Sequence, residues 1–511
     1  MPLSSFSHRC LTAPLTGLLS TVLVLGLSTV AAAEIVKINL LQLNDVYEIT
    51  PVQEGQRGGL ARVATLRNQL VRENPRTYTI LGGDFLSPSA LGTAKVDGER
   101  LAGRQMVDVL NFLGLDYATF GNHEFDIAES LFRKRLAESK FQWISSNVSQ
   151  VNGKPFEQVA RSKIITARGL QGATVKIGLI GVTLPSNPAV YVRYQNYLTA
   201  ARREIQRLEP QVDVLVAITH LTIDQDRQMA ATFPEIDLIL GGHEHENIQQ
   251  WRFVNRFPAT AKCQQNQTPI FKADANATTV YVHRLQFDTT TRCLAIKSEL
   301  QLITAALSAD QRTDRAVQNW VKQGFEGFRR EGFAPEQRVA TITQPLDGTE
   351  ASIRNQPTGL SNLIAQAMLR SASNAELAIF NSGSVRIDDV LPPGAVTQYD
   401  VIRVLPFGGK VLTIGLQGAV LQRLLDAGLK SRGTGAYLQH ANVAKAPSGD
   451  WLIQQQPLMP QRIYRVAVND FLVSGNEQNL EFFKLGQPGI ELLQTGEDIR
   501  FALIRQLQTV N

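Results

Sequence analysis

Tyr117-Ala-Thr-Phe-Gly-Asn122-His123-Glu-Phe-Asp126 is a short apolar run that ends on a glycine and then on polar residues able to ligate or move a proton. The same construction recurs along the first half of the chain. Ile38-Asn-Leu-Leu-Gln-Leu leads into Asn44-Asp45-Val46-Tyr47, and Thr79-Ile-Leu into Gly82-Gly83-Asp84. Val214-Leu-Val-Ala-Ile-Thr ends in His220, and Leu238-Ile-Leu in Gly241-Gly242-His243-Glu244-His245. Apolar runs of this length read as buried strands, and open α/β sheets place their sites at the C-terminal ends of such strands.

Between these runs lie helical patterns, at Gly59–Arg72 and near Leu101–Leu113. Alternation of strand and helix implies an α/β domain with a largely buried sheet. From Thr279 to Ile303 the pattern turns strand-rich, as Val280–His283, Leu285–Phe287 and Leu294–Ile296, which predicts antiparallel closure of that domain. Ser308–Arg330 is polar and proline-free, with apolar residues at Ala316, Trp320, Phe325 and Phe328; Asp310 suits its start. It reads as a connecting helix. A second αβ unit then begins at Val339 and runs to the C-terminus.

At 511 residues the chain exceeds what one core supports, so more than one domain is expected. A 19% charged content and a formal net charge of +5 describe an ordinary globular surface. No Lys/Arg run interleaves with aromatics, which argues against a nucleic-acid polymer as partner. The first 33 residues stand apart. Arg9 precedes the apolar stretch Leu15–Val30, and Val30-Ala-Ala-Ala33 offers small residues for cleavage. This reads as a signal peptide, with an uncleaved anchor as the alternative. No later segment is apolar enough to span a membrane. Cys263 and Cys293 would remain after cleavage, as a disulfide in an exported protein or as two free thiols.

Carboxylate, amide oxygen and imidazole without thiolate suit hard-to-borderline divalent cations. In an extended segment the i, i+2 pairs Asp45/Tyr47 and His243/His245 would point to one side. Glycines before Asp84, Asn122 and His243 allow sharp turns and close approach. His123, next to Asn122, should face elsewhere, oriented by Asp126. Of seven histidines, four fall inside these motifs. Any one motif would be worth little; their concurrence makes a metal site the expectation. His283 in a β-rich run and His440 in a loop-like segment read as ordinary residues.

The order ND, GGD, GNHEFD, TH, GHEH resembles the metallophosphoesterase domain of the 5'-nucleotidase/UDP-sugar hydrolase family. In the second half, Asn381-Ser-Gly-Ser-Val-Arg386 is similar to that family's NGGGIR, Leu405-Pro-Phe407-Gly-Gly to its PFGG, and Asn469-Asp-Phe471-Leu-Val-Ser-Gly475 to its NDFLAxGGDG. The resemblance implies a calcineurin-like β-sandwich flanked by helices over 34–303, a linker helix over 304–337, and a C-terminal αβ substrate-binding domain over 338–511. It implies two divalent ions (Mn, Zn, Co, Mg or Ca). Asp84 would bridge them, Asn122, His220 and His243 would complete one, and Asp45 and His245 would belong to the other. His123 and Asp126 match the catalytic dyad. Asn381 and Arg386 would hold phosphate or ribose, and Phe407 and Phe471 would sandwich a base. The family's disulfide falls where Cys263–Cys293 would.

The chain departs from the family pattern at three points. Tyr47 stands where NDxH has its histidine, and a phenol is the poorer ligand, which weakens one metal site. Arg354-Asn-Gln-Pro357 has proline where RxxE has its acid, and Gly475-Asn-Glu477-Gln keeps the acid of GGDG without its glycines. The expected function is an exported phosphoesterase, periplasmic or extracellular and monomeric. It would hydrolyse a small phosphoester: a 5'-nucleotide, a 2',3'-cyclic nucleotide or a nucleotide sugar. A non-nucleotide phosphoester, or a binding protein with a degraded site, are the alternatives.

Overall fold

The computed structural model describes residues 33–186, 189–248, 254–255 and 267–509. The signal-peptide reading and Cys263 lie outside them. Cys293 is disulfide-bonded.

Two sheets face each other in the first half. One contains β1 (Ile35–Leu43), β2 (Thr77–Leu81), β3 (Tyr117–Ala118), β4 (Gln142–Ile144) and β5 (Val159–Ala160). The other contains β6 (Ser162–Arg168), β7 (Thr174–Thr183), β8 (Val214–His220), β9 (Leu238–Gly241) and β10 (Ile270–Phe271). The hairpin β11 (Thr279–Asp288) and β12 (Cys293–Leu302) then closes the first sheet, whose order is β5-β4-β3-β2-β1-β11-β12. The second runs β6-β7-β8-β9-β10. Strands β1 to β5 are parallel to one another, as are β7 to β10, while β6, β11 and β12 add antiparallel. The two facing sheets are the sandwich that the resemblance implied. The three short closing runs expected after Thr279 form one long hairpin instead, because Arg284 continues the strand without a break.

The sandwich core interleaves Ile38, Leu40 and Ile80 of one sheet with Ile177, Val216 and Leu238 of the other. Side chains alternate faces along a strand, so the opposite faces need cover too. Helices α1 (Leu60–Glu73), α2 (Arg104–Leu113) and α3 (Glu129–Glu138) cover the first sheet. Helices α4 (Tyr197–Leu208) and α5 (Ile223–Thr232) cover the second. Both sheets are therefore buried on both sides, which is why their strands read as unbroken apolar runs.

Helix α6 (Gln311–Arg330) starts where Asp310 caps it, accepting the Thr313 N–H at 2.9 Å. It lies on α1 and α2, and Trp320 Nε1 donates to Asp108 at 2.8 Å. Beyond it come α7 (Glu350–Ile353), α8 (Gly359–Ser371), β13 (Leu377–Asn381), α9 (Gln398–Val404), β14 (Lys410–Gln417), α10 (Gly418–Lys430), β15 (Leu438–Ala441), β16 (Ile463–Asn469), β17 (Ile490–Asp498) and α11 (Ile499–Gln508). The strands form a mixed sheet of order β15-β13-β16-β14-β17. Its α8/α11 face joins the core beneath α6, and α10 covers the other. His440 sits on β15 rather than in a loop: the strand pairs Ile379 with His440 in register. Among the described residues no helix is long and apolar enough to cross a membrane.

Candidate metal centre and substrate cleft

The polar residues after β1, β2, β3, β8 and β9 meet at one end of the sandwich. Asp45, Asp84 and His220 are buried, with ligand atoms all within 4.8 Å of one another. His220 Nδ1 bonds the Gly82 carbonyl at 2.8 Å, which turns Nε2 toward Asp84 Oδ2 (3.1 Å) and Asn122 Oδ1 (3.2 Å). His245 Nε2 lies 3.4 Å from Asp45 Oδ1. The His243 ring rests 5.3 Å from that of His220, and its backbone N–H donates to Asp45 Oδ2 at 2.9 Å.

Extended backbone does not bring the i, i+2 pairs together. Asp45, Asp84, His243 and His245 all adopt positive φ, at 53°, 58°, 92° and 60°. Such left-handed geometry is strained for residues with a Cβ and concentrates at functional sites. The glycines serve close approach as expected: a Cβ on Gly121 would sit 2.0 Å from Asp84 Oδ1.

The donor set fits a cation. Asp45 Oδ1 is buried and accepts no hydrogen bond, an arrangement that is costly unless something positive stands there. Burial pulls the His220 imidazole down, but Asp84 and Asp45 outweigh it and take it up to about 9. His243 goes the other way, to about 3, through burial and the neighbouring His220. Carboxylates that draw positive charge and an imidazole held neutral are the forms that bind metal.

Tyr47 lies beside Asp84 and His245. Its hydroxyl donates to Asp84 Oδ2 at 3.2 Å and lies 2.9 Å from His245 Nε2. Burial, then Asp84, hold this phenol well above its ordinary pKa. His123 Nδ1 pairs with Asp126 Oδ2 at 2.5 Å, and its backbone N–H donates to Asp84 at 2.8 Å. Across the cleft, Arg386 of the second domain places Nη2 3.3 Å from His123 Nε2.

The remaining substrate candidates lie on the second domain. Phe407 and Phe471 are 43% and 44% exposed, so neither ring is core filler. Asn381 donates to Glu477 at 2.5 Å and accepts from Asn469 at 3.1 Å. Arg354 pairs with Glu350, which also takes Arg386 Nη1 at 3.0 Å. An acid lacking at Pro357 is thus supplied by Glu350, one turn before Arg354 on α7.

Four further residues escaped the sequence reading. Glu124 accepts the backbone N–H groups of Asp84, Phe85, Leu86 and Gly121, tying two ligand loops together. It stood inside GNHEFD, so its position was visible and only its role was not. Glu350 lies i−4 from Arg354, a helical spacing that could have revealed it. Lys272 is buried, donates to the Leu221 and Gly242 carbonyls at 2.6 and 2.8 Å, and pairs with Asp226 and Glu244. No spacing signals it. The fourth, Asp388, pairs with His245 Nδ1 from the second domain at 2.5 Å.

A sandwich that gathers aspartates and histidines at its strand ends is the architecture of calcineurin-like phosphoesterases, and that family's model matches residues 38–247. The model of the 5'-nucleotidase C-terminal domain matches residues 338–484. The chain belongs to the family that joins these two domains, the 5'-nucleotidase group of metallophosphoesterases, and is a phosphoester hydrolase by class. It is 24% identical to the trifunctional nucleotide phosphoesterase protein YfkN of Bacillus subtilis over 82% of its length, spanning 31% of that protein. It is 24% identical to the 5'-nucleotidase of Bos taurus, over 89% of this chain and 86% of that one. The 5'-nucleotidase precursor from Thermus thermophilus shares the fold, with a TM-score of 0.75 at 21% identity, covering 93% of this chain and 96% of that one.

Proposed function

We propose that the chain is an exported, two-metal phosphoesterase that hydrolyses 5'-nucleotides, and that 2',3'-cyclic nucleotides or nucleotide sugars are further substrates. One observation carries this reading: the buried Asp45–Asp84–His220 cluster lies beside the His123–Asp126 pair and faces Arg386 of the other domain. Asp84 would bridge the ions, with Asn122, His220 and His243 on one and Asp45 and His245 on the other. Bound divalent ions supply Lewis-acid polarisation of phosphoryl oxygens and acidify a water.

The chain's own residues do the rest. As water adds to phosphorus the ester P–O bond breaks, and the departing oxygen needs a proton. His123, held at Nδ1 by Asp126, has Nε2 directed into the cleft to give one. Arg386 is placed to pair with phosphoryl oxygens, and Glu350 keeps its guanidinium aimed there. Phe407 and Phe471 offer exposed faces for a base, with Asn381, Arg354 and Glu477 around the sugar; stacking contributes about 1–3 kcal/mol per base. Export is supported by the leader-like first 33 residues and by the disulfide at Cys293.

The test is hydrolysis by EDTA-stripped protein reloaded with Mn²⁺, Co²⁺, Zn²⁺ or Ca²⁺, read as phosphate released from AMP, ring opening of a cyclic nucleotide and p-nitrophenol released from bis-p-nitrophenyl phosphate. Metal-dependent release with AMP preferred is expected, and Phe407→Ala should lower kcat/KM on AMP about tenfold, the loss of one stacking face. No metal-dependent hydrolysis of any of them would sink the reading. The altered Gly475-Asn-Glu477-Gln loop favours a second reading, a non-nucleotide phosphoester. Equal activity on AMP and aryl phosphate, untouched by Phe407→Ala, would select it.

A further inference from the structure

Among the described residues, His245 is the one candidate ligand whose ring is gripped from both domains. Its Nε2 faces Asp45 Oδ1 and the Tyr47 hydroxyl in the first domain. Its Nδ1 faces Asp388 Oδ2 at 2.5 Å in the second. Asp388 is itself pinned: its other oxygen accepts the Glu350 N–H at 2.8 Å, and its backbone holds a positive φ of 40°. A left-handed aspartate costs conformational energy that the fold must recover elsewhere. Its side chain is 15% exposed, so little water competes for the carboxylate.

We infer that Asp388 is a positioning residue for the metal centre, so that the ion bound by Asp45 and His245 is held at full strength only when the second domain is docked on the first. This rests on the phosphoesterase reading above and adds a cross-domain dependence to it. The physical reason is the tautomer. A carboxylate at Nδ1 keeps the proton there, leaves the Nε2 lone pair toward Asp45, fixes the ring plane and raises the ring's basicity. Tyr47 makes this support matter more, because the Asp45 side has a phenol where an imidazole would otherwise bind. The other ligand histidine with a defined Nδ1 partner, His220, takes it from Gly82 within its own domain. Only the His245 side is conditional on docking.

The experiment is a Mn²⁺ titration of apo wild type, Asp388→Asn and Asp388→Glu by calorimetry, with bound metal counted after gel filtration. Wild type should bind two ions. Asp388→Asn should bind one of them 10- to 100-fold more weakly and the other unchanged, as removal of an outer carboxylate does. Asp388→Glu should recover part of the loss, which keeps the test decisive if the Asn variant folds poorly. Excess Mn²⁺ should restore kcat in Asp388→Asn, a rescue that damage to the fold would not permit. In a double-mutant cycle with His245→Gln the two losses should not add. Wild-type affinity for both ions in Asp388→Asn, or no rescue by Asp388→Glu, overturns the inference. A wild-type chain that binds no divalent ion overturns the phosphoesterase reading itself, and this inference with it.

Discussion

In the proposed metal centre, Tyr47 would alter one site without dismantling it. Its hydroxyl bridges Asp84 and His245, so it serves as a hydrogen-bonded spacer where the family pattern has a ligand. Tyr47→His should raise Mn²⁺ affinity at one of the two ions about tenfold, read by titration, because imidazole replaces a protonated phenol as donor. Unchanged affinity at both ions would show that Tyr47 does not occupy a ligand position. His283 makes the opposite point. It is buried between Gln42 and Ser298, and burial lowers its pKa to about 3. Unfolded, it takes a proton near pH 6.5, so below that pH the unfolded chain binds more protons than the folded one. Its contribution to stability therefore falls as pH drops from about 6.5 toward 3, by about 1.4 kcal/mol per unit. Urea melts of wild type and His283→Gln between pH 7 and 5 check this; parallel pH curves would refute it. That His283 lies within a strand was legible in its surroundings, since it falls in a β-rich run rather than at a strand end.

At the level of elements, the ligand loops are held by groups that carry no ligand themselves. Glu124 satisfies backbone donors from the loops after β2 and β3 at once. Glu124→Gln sets an amide NH₂ against some of those donors and should cost on the order of 1–3 kcal/mol. Loss of Asp84-dependent metal binding should follow, and a wild-type melting temperature would refute the clamp. Helix α6 depends on a cap of ordinary kind: Asp310→Ala should cost about 1 kcal/mol, read as a lowered denaturant midpoint at constant slope. Caps and strand periods are local, and for that reason the end of β1 at Leu43 and the start of α6 at Asp310 were legible in the sequence. The division into two sheets was legible only through the resemblance to a sandwich family, since a strand buried on both faces looks the same whichever sheet it joins.

Across the whole molecule, the two halves share the apolar core beneath α6 and also meet through charged side chains. Arg403 of α9 faces Glu48 (3.9 Å), Asp389 (3.8 Å) and Asp400 (3.4 Å), and Tyr399 donates to Glu48 at 3.4 Å. Arg386 and Asp388 reach His123 and His245 from the same side. Arg403→Met leaves three carboxylates facing one another with no cation between them, and should destabilise the docked arrangement by about 3–5 kcal/mol. A larger radius of gyration by small-angle scattering is the expected sign; an unchanged one would place the docking energy elsewhere.

The chain's order of residues by itself determined which side chains can do chemistry here. It also determined that apolar strands deliver them, because ligand chemistry and strand periodicity are both local properties. The meeting of those side chains was decided by tertiary structure alone. Asp388 lies 143 positions from His245 and Glu350 lies 36 from Arg386, and neither pairing leaves a trace in spacing. Left-handed backbone at Asp45, Asp84, His243 and His245 likewise follows from the closure of two sheets on one point, a constraint that no segment carries on its own.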